Sequence, residues 1–414
     1  MTVRWRVTAQ SGTDQAQGRA GRGVGSLGAA TVFAVGMAGT TLPTPLYGLY
    51  REEIGFSELI VTVIFAVYAL GVIAVLLLAG DVSDRTGRRP VLLAALVFSA
   101  GSALCFLLES GLPLMFLGRV LSGFAAGLLS GAGTAAVLEL AGPGRTARAG
   151  LAATAANMGG LGSGPLLSGL LAQYAPWPLR LPYLVHLALV CAVALIVWRL
   201  PETVRTERGG ARALLRPSGM RVPPEVRGVF TPAACAAFAG FALLGLFTSV
   251  SSGFITGTLG ESNLAVAGAV VFTVFLASTA GQSLMPRLGV ARALPAGCLL
   301  LLVGLLLAGL SLLVKSLWPL VACALVGGAG QGLGFRAGLT AVSGAAPARH
   351  RAGAISAFFV VAYLGISVPS VGVGAISLAL GLREAGMVFT AVVMLLTAAV
   401  GAYVWRRPLT PAPA

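Results

Sequence analysis

Gly80-Asp81-Val82-Ser83-Asp84-Arg85-Thr86-Gly87-Arg88-Arg89-Pro90 places two carboxylates and three guanidiniums in one short stretch. Gly80 lets two helix ends approach closely, and Gly87 permits a tight turn. Asp84 suits a helix N-terminus or an arginine partner, and Arg88 can bridge to an acid elsewhere. Arg119 stands alone in the apolar run LGRVLSGFAAG. Gly160-Leu161-Gly162-Ser163-Gly164-Pro165-Leu166-Leu167-Ser168-Gly169 is dense in small residues, which let helices pack closely. Within it Pro165 removes a backbone donor and bends the helix. The two histidines, His186 and His350, are far apart, and the five cysteines show no C-x-x-C spacing. They read as small hydrophobes. Ion pairing and helix packing are therefore expected, and metal or nucleophilic chemistry is not.

The elements that must hold these residues follow from composition. The chain has 414 residues, 57% apolar and only 10% charged, with mean hydropathy +0.91. A soluble domain carries about 25% charged residues. Lipid must be much of this chain's solvent. Disorder, a secreted disulfide scaffold and a soluble enzyme are excluded. The net charge is +15, from 28 basic and 13 acidic residues. In a soluble protein this would suggest nucleic acid. Here the basic residues are spread thinly between apolar runs and read as topology signals, so no nucleic-acid partner is expected.

Twelve apolar runs fall at 27–49, 58–79, 90–109, 112–137, 148–172, 181–199, 229–256, 263–285, 293–313, 317–342, 353–380 and 384–404. Each can cross about 30 Å of hydrocarbon, and each must be helical, because lipid satisfies no backbone amide. With the N-terminus in the cytoplasm, almost all arginines collect on the cytoplasmic side. The outside keeps Arg51, Arg180, Lys315 and Arg383, and Arg119 and Arg336 fall inside spans. This predicts a multi-pass protein of the plasma membrane with both termini cytoplasmic. Residues 1–26 read as a disordered tail and carry no secretory signal. Residues 27–200 and 229–405 then form two six-helix bundles, joined by a central cytoplasmic loop at 201–228 and followed by a tail at 406–414. Weak internal similarity, GFAAGLLSGAGTAAV against GAGQGLGFRAGLTAV, suggests a duplication around a central cavity. Pro43 and Pro45 are expected to bend the first span near its outer mouth, with Tyr47 and Tyr50 in the interfacial belt.

The loop after span two resembles the signature G-x-x-x-D-R-x-G-R-R/K of the major facilitator superfamily, and the position matches too. The likeness is to bacterial drug/proton antiporter-like exporters. It implies an all-α membrane fold of twelve helices in two pseudo-repeats. It implies that Gly80, Asp81, Asp84, Arg85, Gly87, Arg88 and Arg89 form a cytoplasmic latch, with Glu139 as the partner of Arg88. Arg119 and Gly123 match the span-four pattern R-x-x-x-G, which in antiporters is linked to proton and substrate movement. Gly160, Gly164, Pro165 and Gly169 resemble the antiporter motif G-x-x-x-G-P-x-x-G-G, with Ser168 replacing one glycine. The resemblance implies alternating access, protons as a coupling partner and a monomer in the lipid bilayer.

One departure bears on mechanism. No Asp or Glu falls in the middle of any span, whereas many proton-coupled drug exporters keep a carboxylate deep in the cavity. His186 is the only mid-span side chain that titrates near neutral pH. Arg119, His186 and Arg336 are the transport and coupling candidates. Tyr68, Asn157, Gln331 and Tyr363 are the substrate-cavity candidates. A cavity without acids favours neutral, zwitterionic or anionic amphiphiles over lipophilic cations. The expected function is export of a small amphiphilic compound by secondary transport. The alternative is an uptake carrier or facilitator for a small nutrient or organic anion. No phosphate-binding G-x-x-x-x-G-K-[ST] motif is present. No enzyme activity and no cofactor are expected.

Overall fold

Inside hydrocarbon a backbone amide finds no water, so each apolar run satisfies its own amides by coiling. The computed structural model describes residues 11–109, 111–142, 144–204, 220 and 222–409, with side chains from residue 25 onward. Among these the backbone forms helices and no strands. Twelve of the helices are long. They are α1 (Ser11–Thr41), α2 (Glu58–Leu78), α3 (Arg88–Leu107), α4 (Leu112–Leu140), α5 (Thr146–Tyr174) and α6 (Leu181–Arg199), then α7 (Arg227–Ser249), α8 (Leu264–Leu288), α9 (Val290–Val314), α10 (Leu317–Ala345), α11 (Ala348–Leu380) and α12 (Leu382–Arg406).

Ten of them lie where the apolar runs place them. α1 differs at both ends. It begins at Ser11, inside the stretch expected to be a disordered tail, because an established helix propagates at little cost. It stops at Thr41, where Pro43 and Pro45 supply no N–H groups. A 3-10 turn (Thr44–Leu46) and a short helix (Tyr47–Ile54) follow. Tyr47 and Tyr50 are not in an interfacial belt. They are 2% and 0% exposed, packed with Leu42, Ile64, Phe106, Met115 and Tyr183. α7 also ends early and gives way to a π-helical turn at Phe254–Thr258. Residues 1–10, 205–219 and 410–414, which hold the rest of the expected tails and most of the central loop, lie outside the described residues.

Among the described residues, eleven helical segments are long and apolar enough to cross a membrane. α5 is not among them. Its face is made of Gly, Ala, Ser and Thr because it packs against α1 and α8 rather than lipid alone. The helix pairing repeats six helices on. α1 packs on α4, α5 and α6, and α7 on α10, α11 and α12. α4 also packs on α2 and α3, and α10 on α8 and α9. The two sets meet along two related seams, α5 with α8 and α2 with α11. Glycines set the closest approaches. A Cβ on Gly123 of α4 would come 2.9 Å from the Gly71 Cα of α2, so neither position admits a side chain without the helices parting.

The end of the bundle that carries Arg88, Glu139 and Glu202 is here called the arginine end. Contacts between the two halves cluster at the opposite end. There the Leu264 N–H donates to Gln173 Oε1 at 2.9 Å, and Asn263 Nδ2 to the Tyr174 hydroxyl at 3.1 Å. Ser252 Oγ donates to the Thr44 carbonyl at 3.4 Å, and Gly374 packs on Leu59 and Thr62. Asn263 also caps its own helix, accepting from the N–H groups of Ala265 and Val266.

Candidate functional site

Arg119 is a buried cation, 2% exposed, on the face of α4 turned toward α1. Its Nη1 donates to the Thr40 carbonyl at 2.5 Å. Thr40 lies in the last turn of α1, where carbonyls lose their helical partners and the helix dipole is negative. The guanidinium carbon sits 4.7 Å from the Tyr68 ring centre and 5.5 Å from that of Phe65. Both are cation–π distances. Its salt-bridge partners include no carboxylate among the described residues. Nε has no hydrogen-bond partner among them either.

The next residue of α1 serves a different helix. Pro165 brings no N–H, so the carbonyl four residues earlier, Leu161, loses its helical donor. Thr41 Oγ1 donates to that carbonyl at 2.7 Å. The same device recurs in α8. Pro286 releases the Gln282 carbonyl, and Arg336 Nη1 donates to it at 3.1 Å. Arg336 was expected as a transport candidate. It is instead bonded to α8 backbone and is absent from the wall of the central cavity.

That cavity lies between the halves, with a volume of about 300 Å³. Its wall includes Arg119, Tyr68, Asn157 and Tyr363, four of the candidates read from the sequence. Phe65, Phe241, Phe275, Phe335 and Phe359 make it aromatic, and Thr41, Ser130, Thr134, Thr154, Thr248 and Gln282 add neutral polar groups. Tyr68 and Tyr363, from opposite halves, meet edge to face with ring centres 6.5 Å apart. None of the lining residues is acidic. Ser130, Thr134, Gly150 and Leu339 carry the cavity toward the arginine end.

Gln331 does not line the cavity. α10 turns it against α8, where it is 2% exposed and accepts from Ser278 Oγ at 2.7 Å. Gln282, one turn beyond Ser278, takes the place in the wall. His186 is also away from the cavity. It is 1% exposed, with Nε2 at 3.0 Å from Ser99 Oγ and Nδ1 unpartnered among the described residues. Gly39 packs directly on its ring. Residues 39, 40 and 41 of α1 thus engage α6, α4 and α5 in turn.

At the arginine end, Arg88 is 8% exposed. Nε and Nη2 donate to the two Glu139 oxygens at 3.2 and 2.7 Å, and Nη1 reaches Ser83 Oγ at 2.6 Å and Asp84 at 2.5 Å. Arg85 approaches Asp81 at 3.9 Å, and Arg89 donates to the Trp198 carbonyl at 2.8 Å. Gly87 has φ +100°, a conformation that suits glycine. Glu202 fits against it and accepts from the N–H groups of Arg88 and Arg89 at 2.8 and 3.0 Å. A carboxylate there satisfies the first amides of α3 and complements its dipole. Thr203 Oγ1 donates to Glu139. Glu202 and Thr203 are members of this network that the sequence motif did not reveal.

Gly160 and Gly164 of α5 lie against α1, whereas Gly162, Pro165 and Gly169 lie against α8. The motif therefore serves both the inner packing of one half and the seam between halves.

The sequence model of the Major Facilitator Superfamily matches residues 28–300. The chain belongs to the Major Facilitator Superfamily. Its family and its many long apolar helices make it a multi-pass membrane protein. It is 28% identical over 263 residues to the class D tetracycline resistance protein of Salmonella ordonez, over 55% of this chain and 66% of that one. It is 40% identical over 85 residues to the multidrug resistance protein MdtL of Escherichia coli, over 20% of this chain and 22% of that one. The chain thus spans less than two thirds of these relatives' lengths. Among solved structures it resembles an inward-facing, unoccupied bacterial homologue of the human lysosomal transporter Spinster. The TM-score is 0.65 at 18% identity, with 94% of this chain and 99% of that one covered. A mutant of the nucleoside transporter NupG gives 0.67 at 14% identity, covering 91% and 99%. These likenesses establish the fold of this superfamily member.

Proposed function

We propose that this superfamily member exports small amphiphilic compounds across the plasma membrane by alternating access, coupled to protons. The observation that carries the reading is the central cavity. It is aromatic, sits between two pseudo-symmetric halves, runs toward the arginine end and is closed at the other by contacts between the halves. The arginine bias supports a cytoplasmic location for the arginine end, and on that reading this is the inward-facing form. Export is supported by the small-residue motif on the α5–α8 seam and by the drug-resistance names of two relatives. The Arg88–Glu139 network is the proposed latch. All its described bonds lie before residue 205, so in this state it fixes one half internally.

The test uses proteoliposomes with an imposed pH gradient, a trapped pH dye and a panel of labelled amphiphiles. The reading expects one class to move against its own gradient while the pH gradient dissipates. Equilibration of a labelled compound with no proton movement would establish the alternative, a facilitator for a small nutrient or organic anion.

A further inference from the structure

Among the described residues the central cavity has one charged group in its wall, and that group is undercompensated. Arg119 gives Nη1 to the Thr40 carbonyl, and Nε has no partner among the described residues although the side chain is 98% buried by its 2% exposure. The α1 end facing it supplies roughly half a negative charge. Two aromatic faces add an attraction but no countercharge. The other lining residues are neutral. A guanidinium held out of water at the wall of a cavity binds an anion well, since the desolvation cost is met in the folded protein before the ligand arrives.

We infer that the cavity takes an organic monoanion with an aromatic or alicyclic body, and that Arg119 binds its anionic group. One half-compensated cation matches one negative charge. Phe65, Tyr68, Phe241, Phe335 and Tyr363 supply the apolar surface for the body. A lipophilic cation finds no carboxylate, and Arg119 already occupies the face of Tyr68. This rests on the proposed reading of the cavity as the transport site, and it narrows the substrate from amphiphiles in general to weak organic acids in their ionised form. Arg336 plays no part, because its guanidinium is engaged with the Gln282 carbonyl.

The probes are naphthylacetate, its neutral amide and naphthylethylammonium, three ligands of similar body and different charge. Binding to the full chain in neutral-lipid nanodiscs is measured by equilibrium dialysis, with empty nanodiscs subtracted. The inference expects the acid to bind about tenfold tighter than the amide, on the order of one charge-assisted hydrogen bond, and the ammonium to bind weakest. Arg119→Gln should remove the preference for the acid over the amide, and Arg119→Lys should keep part of it. Equal binding of acid and amide, no binding of any probe, or an acid preference that survives Arg119→Gln would overturn it. The wild-type series decides alone if the variants do not fold. Acid-selective binding without transport in proteoliposomes would uphold the anion site and refute the export reading.

Discussion

Thr41 of α1 donates its hydroxyl to the Leu161 carbonyl of α5, the one acceptor that Pro165 leaves without a helical donor. The bond joins two helices at the wall of the cavity and allows a proline bend without an unsatisfied backbone group in lipid. Thr41→Val keeps the shape and removes the donor. It should cost about 1–3 kcal/mol, the penalty for a buried acceptor left bare. Pro165→Ala returns the N–H, so in that background Thr41→Val should cost clearly less. Thermal unfolding of the four proteins in detergent measures the coupling; strict additivity would show that the two sites are independent.

Arg336 and Gln282 repeat the device in the second half. Arg336→Leu should destabilise the protein, and Pro286→Ala should rescue much of that loss. The cavity keeps its shape in the double variant, so transport should recover with stability. If Arg336→Leu abolishes transport and the second substitution rescues only stability, the arginine has a further role in the cycle.

Glu202 closes the first turn of α3 by accepting from the Arg88 and Arg89 amides. Glu202→Gln retains an acceptor but loses the charge, and should cost about 0.3–1 kcal/mol at low salt. Salt should shrink the difference, since the dipole interaction is screened. A melting series with rising salt checks this, and a loss that does not change with salt would point to shape instead of charge.

Glu109 lies outside the spans, between α3 and α4. Burial, then the charge of Glu53, raises its carboxyl above the usual value. A carboxyl whose folded value is raised binds its proton more readily when folded, so stability gains as pH falls through that value and the ionised form is costly above it. Glu109→Gln should therefore stabilise the protein at neutral pH, and the gain should fade as pH falls through the carboxylate range. Melting temperature against pH, wild type beside variant, gives the comparison.

Much of this was legible in the sequence because lipid is a strict solvent. Apolar length placed ten of the helices, and the spacing of Gly87, Arg88 and Glu139 anticipated the cluster at the arginine end. Arg119, Tyr68, Asn157 and Tyr363, polar residues in otherwise apolar spans, lie in the wall of the central cavity. The failures have one cause. Most residues of a buried helix are apolar or small on every face, so the sequence does not say which way its few polar side chains turn. Gln331 faces Ser278 while Gln282 faces the cavity, and His186 turns to Ser99. Prolines within the spans do carry such a signal. A proline inside a span leaves a carbonyl bare four residues earlier, and that position needs a donor from another helix. Glu202 carried no such sign, since its partners are backbone amides of residues distant in the chain.

Alternating access, as proposed, requires the halves to rock about the α5–α8 and α2–α11 seams where they meet. Spin labels at Gln173 and Ser262 report the closed end, and labels at Arg145 and Arg349 report the arginine end. Pulsed dipolar distances in nanodiscs, with and without a bound organic anion and across a pH step, test the claim directly. The account predicts that the first distance lengthens in the same fraction of molecules in which the second shortens. Distances that stay fixed at both ends while proteoliposomes made from the same preparation transport would contradict it.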